Sequence, residues 1–218
     1  MYRILKVCGL TTVEDALYCS EQGADFLGMV LHPKSPRLCL PETIAEININ
    51  LKYRPRVLVY GHDDREYIIE TAKKNMDDFL FVQLPAHHSG FEKVVQSFGI
   101  SKIIPVVAVE NRVDYNLLEK LKDFDMIIFD TGGIKGSNNV LLDGGTGIPF
   151  NWSLLKDVNR NYLVAGGINQ ENIGRLVGLL PQSRGVDLSG SLESEKGIKD
   201  PQKVKIFVQT FRETGRAS

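Results

Sequence analysis

Short apolar runs and longer amphipathic stretches alternate along the whole chain. Runs at residues 4–7, 26–30, 56–59, 79–83, 102–107, 126–129, 162–165 and 185–188 read as strands. Most are continuously apolar, the pattern of strands covered on both faces. Between them lie stretches with helical spacing. Residues 12–22 form one, capped by Thr11 or Thr12 and closed by Gly23, and another begins near Pro41, where proline suits a first turn. Further helices are expected at 64–74 with Asp63 or Asp64 as cap, 91–98 ending at Gly99, 115–122, a short one at 152–158, 170–179 with Asn169 as cap, and 201–212. Strict strand–helix alternation implies parallel strands, because parallel neighbours need crossover connections. Eight units in 218 residues, one per about 27, predict a compact (β/α)8 TIM barrel occupying 1–218 as a single domain. The alternative, an open doubly wound sheet, lacks the GxGxxG that a dinucleotide fold carries after its first strand.

Composition narrows the class. Hydrophobic residues make up 43% and charged residues 24%, ordinary for a globular chain, and no apolar run reaches membrane-spanning length. With 26 basic and 27 acidic side chains the net charge is −1, so nothing points to nucleic acid or an anionic membrane as partner. Three cysteines (Cys8, Cys19, Cys39) without CxxC or zinc spacing argue against a disulfide scaffold or a metal centre. The N-terminal apolar run is too short for a signal peptide, and a cytoplasmic protein with reduced thiols is expected. No exposed apolar stripe chooses between monomer and homodimer.

In a barrel of this kind the chemistry sits at the C-terminal ends of the strands. Cys8 ends the first strand there. It reads either as a buried small hydrophobe or as a nucleophile or base, the latter needing a nearby cation or helix N-terminus to favour the thiolate. Lys6 shares its face of the strand. Asp130, after the run ending at Phe129, reads as a turn cap or as a general acid whose proton is retained at the rim of an apolar cavity. Gly144-Gly145-Thr146-Gly147, Gly166-Gly167 and Ser189-Gly190-Ser191 fall in loops that a barrel makes neighbours. Glycine lets backbone N–H groups approach an anion, so the three together predict a phosphate site and a small phosphorylated ligand. His62, His87 and His88, and the charged run Asp63-Asp64-Arg65-Glu66, read as solvated.

Several of these segments together closely resemble phosphoribosylanthranilate isomerase. The resemblance rests on Lys6-Val7-Cys8-Gly9-Leu10-Thr11, Val13-Glu14-Asp15-Ala16, Gly23-Ala24-Asp25, Gly28, Pro33-Lys34-Ser35-Pro36-Arg37, Val82-Gln83-Leu84 and Asp130-Thr131. It continues through Gly144-Gly145-Thr146-Gly147, Phe150, Trp152, Ala165-Gly166-Gly167-Ile168-Asn169, Glu171-Asn172, Gly197 and Lys199-Asp200, in order from about Lys6 to Val204. It implies a TIM barrel of tryptophan biosynthesis that needs no metal or organic cofactor. The implied reaction is the Amadori rearrangement of N-(5-phosphoribosyl)anthranilate to 1-(2-carboxyphenylamino)-1-deoxyribulose 5-phosphate.

By position, Asp130 resembles the family's general acid and Cys8 its general base. Arg37 and Gln83 fall among the substrate-binding positions. Gly145, Thr146, Gly147, Gly166, Gly167, Ser189 and Gly190 fall in the phosphate site. The related histidine-pathway isomerase has a carboxylate where this chain has Cys8. Departures are concentrated in the loops. Pro85-Ala86 follows Leu84 where the family has His-Gly, leaving His87 or His88 as replacements, and Ile148 and Asn151 replace a lysine and an aspartate. Ser189-Gly190-Ser191 reorders the usual serines, and the segment 131–143 is longer than usual. A second reading is therefore a paralogue that binds a phosphorylated small molecule without this turnover.

Overall fold

In the computed structural model, residues 3–131 and 149–214 are described. Eight parallel strands close into a barrel: β1 Ile4–Val7, β2 Phe26–Val30, β3 Arg56–Val59, β4 Leu80–Pro85, β5 Ile103–Val109, β6 Ile127–Thr131, β7 Tyr162–Val164 and β8 Gly185–Leu188. Closure is made by β1 against β8, with Ile4 beside Gly185 and Val7 beside Leu188. Helices α1 Val13–Gln22, α2 Pro41–Asn50, α3 Arg65–Asn75, α4 Phe91–Phe98, α5 Tyr115–Lys120 and α6 Ile173–Leu179 lie between successive strands, and α7 Pro201–Thr214 follows β8. The expected TIM barrel is observed. Among the described residues no helix is long and apolar enough to cross a membrane.

Local chemistry starts the helices where the sequence indicates. Thr12 accepts a hydrogen bond from the Asp15 N–H, and Asp64 accepts from the Glu66 and Tyr67 N–H groups. Each satisfies donors that a helix N-terminus leaves open. Pro41 occupies the first turn of α2. The 170–179 helix starts late, at Ile173. Asn169 and Asn172 hydrogen-bond reciprocally, and Asn169 Oδ1 accepts from the Glu171 and Asn172 N–H groups, so the first residues form an Asn-stabilised turn. The short helix after Trp152 is a 3-10 turn, Trp152–Leu155. A small hairpin, β9 Glu193–Glu195 with β10 Ile198–Lys199, was not expected; its strands are too short to leave a periodic signal.

Three strands run past their expected ends, β5 as far as Val109. In β4, Leu84 and Pro85 pair with Pro105 and Val106. Pro85 is tolerated because β3 has ended at Val59, so its missing N–H breaks no ladder there. In β6, Asp130 and Thr131 pair with Ala108 and Val109, which puts Asp130 on the strand itself rather than in the loop.

Inward-facing residues recur at every second position, and the barrel interior changes character along its axis. Ile4, Phe26, Phe81, Val57, Ile104, Ile128 and Leu163 fill the lower and middle part. Above them, in phase on their strands, stand Lys6, Gln83, Asp130 and Asp187, with Cys8 one step further along β1. The larger apolar layer lies between strands and helices and includes Leu5, Val7, Leu27, Phe129, Tyr162, Phe207 and Phe211.

Candidate active site

A cavity of about 660 Å³ opens at the C-terminal end of the barrel. Its lining brings together Cys8 from the end of β1, Arg37 from the loop after β2, Gln83 from β4 and Asp130 from β6. Gly166 and Gly167 from the loop after β7 and Ser189 and Gly190 from the loop after β8 complete that set. Residues from the two ends of the chain therefore share one wall, as closure of the barrel requires. Gly145, Thr146 and Gly147, with Ile148, lie outside the described residues.

Asp130 faces the cavity with its carboxyl largely withdrawn from solvent. Burial, with Asp187 reinforcing it, pushes its pKa up to about 6, while the Thr131 N–H and Lys6 pull the other way. The Thr131 N–H donates to Asp130 Oδ1 at 2.7 Å and fixes the rotamer. Gly166 makes this possible. Its φ of +82° suits glycine, and a Cβ there would lie 2.8 Å from Asp130 Oδ1 and 2.2 Å from Thr131 Oγ1.

Cys8 is half-buried, with burial raising its thiol pKa and Lys6 opposing that rise. Gly28, beside it on β2, leaves room for both side chains. A Cβ at Gly28 would sit 2.9 Å from Cys8 Sγ and 3.1 Å from Lys6 Nζ. Lys6 is fully buried and places Nζ 2.9 Å from both carboxylate oxygens of Asp187. Burial would discharge the ammonium, but Asp187 holds it charged, and Cys8 adds to this when it is a thiolate.

A second charged group supports the rim. Arg37 donates from Nε and Nη2 to the two carboxylate oxygens of Glu193, at 2.8 Å each. Lys199 Nζ donates to the same carboxylate at 2.8 Å, and Ser189 Oγ lies 3.3 Å from it. Burial alone would raise the Glu193 pKa; the hydrogen bonds from Arg37 and Lys199 outweigh it and hold the carboxyl below its usual range. Gln83, which lines the cavity, contributes a buried side-chain oxygen that has no hydrogen-bond partner among the described residues.

Of the histidines expected to be solvated, His62 and His87 are exposed, whereas His88 is not. His88 is buried, with Nε2 2.7 Å from the Asp63 carbonyl oxygen and Nδ1 accepting from the Gly90 N–H. Asp63 is buried too. It accepts from the Gly61 N–H and lies 2.7 Å from His32 Nδ1, so it knits together the loops after β2, β3 and β4. The alternation of charges in the sequence hid this, because a loop residue's burial depends on its neighbours in space. The His62 and His87 rings lie nearby, tilted at 49° to each other with centroids 5.1 Å apart. None of the four histidines lines the cavity, so neither His87 nor His88 takes up a histidine's place there. Among the described residues no cluster of His, Cys, Asp or Glu is arranged to hold a metal ion.

The model of the N-(5'-phosphoribosyl)anthranilate isomerase family matches residues 5–210. The chain belongs to the phosphoribosylanthranilate isomerase family. The relative of that name from Aquifex aeolicus is 31% identical over 216 residues, spanning 94% of this chain and 96% of its own. Among solved structures, monomers derived from the dimeric phosphoribosylanthranilate isomerase of Thermotoga maritima superpose with a TM-score of 0.76 at 29% identity, covering 98% of this chain and 100% of theirs. Another phosphoribosylanthranilate isomerase, solved with reduced 1-(o-carboxyphenylamino)-1-deoxyribulose 5-phosphate, superposes with a TM-score of 0.73 at 26% identity, covering 98% of this chain and 100% of its own.

Within the family frame, two parts of the site were not singled out from sequence. One is Asp187, the other Glu193 with Lys199. Each carries a readable signal: Asp187 interrupts an otherwise apolar strand, as Lys6 does, and Glu193 precedes the Gly197 turn. What the sequence could not supply was the partner, 181 residues away for Lys6.

Proposed function

We propose that the chain converts N-(5-phosphoribosyl)anthranilate to 1-(2-carboxyphenylamino)-1-deoxyribulose 5-phosphate, with Asp130 as general acid and Cys8 as general base. The observation that carries this reading is the joint presence of Cys8 and Asp130 on the wall of one cavity of ribose-phosphate size. Asp130, with a pKa near 6, retains enough proton to deliver it to the ribose ring oxygen. The ring C–O bond breaks as the anilino nitrogen lone pair forms the C1′=N bond, giving a protonated Schiff base. That electron sink acidifies the C2′ hydrogen, so a thiolate is a sufficient base. Cys8 takes the C2′ proton, and the C–H pair flows into C1′–C2′ to give an enolamine. The enolamine becomes the ketone as a proton leaves O2′ and one is gained at C1′. Return of the proton held by Cys8 to Asp130 closes the cycle, with no change of oxidation state overall.

Binding roles follow from position. Arg37, held by Glu193, presents its remaining guanidinium N–H groups to substrate anions. Gln83 Oε1 accepts a hydrogen bond from the substrate, which answers its missing partner. The backbone of Gly166-Gly167 and Ser189-Gly190, with Gly145, Thr146 and Gly147, receives the phosphate. All three cysteines are unpaired, in keeping with a reducing compartment such as the cytoplasm.

The test is loss of phosphoribosylanthranilate fluorescence on adding the protein. Cys8→Ser and Asp130→Asn should each lower kcat by roughly 10²–10⁴-fold. A wild-type chain that bound ribose phosphates but left the fluorescence unchanged would establish the paralogue reading instead.

A further inference from the structure

We propose that Lys6 and Asp187 are positioning residues for this reaction: a buried ion pair beneath the cavity that places negative charge on the Cys8 sulfur and the proton on the Asp130 carboxyl. The inference rests on the acid and base roles proposed for those two residues. Its geometry is independent of them. Lys6 Nζ and Cys8 Sγ both lie against Gly28, at 3.1 and 2.9 Å from where a Cβ would stand, so they are at most about 6 Å apart, the sum of those distances. Lys6 Nζ also contacts both oxygens of Asp187 at 2.9 Å, and we take the pair as ionised on that geometry. Asp187 lines the same cavity as Cys8 and Asp130.

The two ends of the pair act unequally on the two catalytic groups. On Cys8 the ammonium of Lys6 outweighs the carboxylate of Asp187, so the pair favours the thiolate. On Asp130 the carboxylate outweighs the ammonium, so the pair favours the protonated acid. The other groups facing Cys8 are Lys199, which favours its thiolate, and Arg37, which interacts with it from the rim. Asp130 is further held by the Thr131 N–H.

The cavity needs such a device because burial works against the base. Desolvation leaves the pKa of Asp130 near 6 and drives that of the Cys8 thiol above its ordinary value. At neutral pH the resting site therefore holds mostly thiol and carboxylate. The working form, thiolate with protonated acid, is a minor population set by the gap between the two groups. A buried ion pair of this polarity narrows the gap from both sides. Each pH unit of narrowing multiplies the working population about tenfold. A neutral pair of similar size would fill the same space, so packing alone does not call for the charges.

Two measurements on the full chain test this. The first is the pH dependence of Cys8 alkylation by iodoacetamide, read by mass spectrometry so that the buried Cys19 and Cys39 are scored separately. In Lys6→Met the midpoint should rise by about one unit or more, and Lys6→Arg should restore most of it. Lys6→Met leaves Asp187 buried and alone and can fail to fold. The neutral pair Lys6→Met/Asp187→Asn removes that penalty and should still raise the midpoint, because Lys6 dominates at Cys8. The second measurement is the pH profile of kcat/KM for the neutral pair. Its bell should widen by as many pH units as its plateau falls in decades.

A lowered plateau with unmoved limbs would mean a purely structural role and would overturn the proposal. An alkylation midpoint unmoved in the neutral pair would overturn it as well. Retained turnover in Cys8→Ser would instead overturn the acid–base roles on which it rests.

Discussion

Asp130 carries a cost in stability that its replacement should relieve. The folded carboxyl has a pKa of about 6 against an ordinary 3.8. A carboxyl whose folded pKa is raised imposes no penalty below the unfolded value. It destabilises the native state increasingly as pH rises through the folded value, because the buried form resists ionising. The shift spans about two units, and one unit is about 1.4 kcal/mol, so the ceiling is roughly 3 kcal/mol above pH 7. Because Asp130 faces a cavity that admits water, about 1–2 kcal/mol is the realistic gain.

An asparagine at this position would preserve the local geometry, since an amide oxygen can still accept the Thr131 N–H that Asp130 Oδ1 now accepts at 2.7 Å. Asp130→Asn should therefore be more stable than wild type at pH 8 by about 1–2 kcal/mol, a rise of about 3–6 °C in Tm for a chain of this size. Most of that advantage should disappear at pH 4. Urea or thermal unfolding followed by circular dichroism at the two pH values measures it, alongside the loss of turnover. An advantage equal at pH 4 and pH 8, or absent at both, would refute the burial of an ionisable carboxyl as its source.

Three further substitutions test other parts of the structure. Gly28→Ala places a methyl 2.9 Å from Cys8 Sγ and 3.1 Å from Lys6 Nζ, and should cost about 1–3 kcal/mol in urea unfolding and at least tenfold in kcat. Unchanged kinetics would show that β1 can move away freely. Arg37→Met should raise KM by roughly 10–100-fold with a much smaller change in kcat, the loss of a charged hydrogen bond to substrate. An equal fall in kcat would place Arg37 in the chemistry. Arg56, fully buried at the opposite end of the barrel, donates to Asp77 and Asn48. Arg56→Met should destabilise the fold by about 3 kcal/mol because it strands those acceptors, yet leave kcat unaltered at a temperature where the variant is folded.

Much of the fold was legible because its signals are local. Short, mostly apolar runs marked all eight strands, since both faces of a parallel barrel strand are covered and little solvent-facing alternation survives. Thr12, Asp64 and Pro41 announced their helices through capping and a fixed φ. The misplaced boundaries have local causes of another kind. The Asn169–Asn172 exchange delays α6, and Pro85 remains in β4 only because β3 stops short beside it. Those depend on which neighbours are present, and spacing does not report that.

Site chemistry divides along the same line. By itself the sequence determined which residue types stand at the ends of which strands: a cysteine on β1, an aspartate on β6, glycines after β7 and β8. It could do so because strand periodicity fixes the face of each side chain and the barrel fixes which end is open. The tertiary structure alone decided how those groups are charged. Lys6 reads as an ordinary cation until Asp187 is found against it, Arg37 as a free guanidinium until Glu193 holds it, and His88 as a solvated ring until Asp63 is found beneath it. Protonation and rotamer are set by burial and by partners up to 181 residues away, and desolvation is a property of the packed cavity that no stretch of sequence possesses.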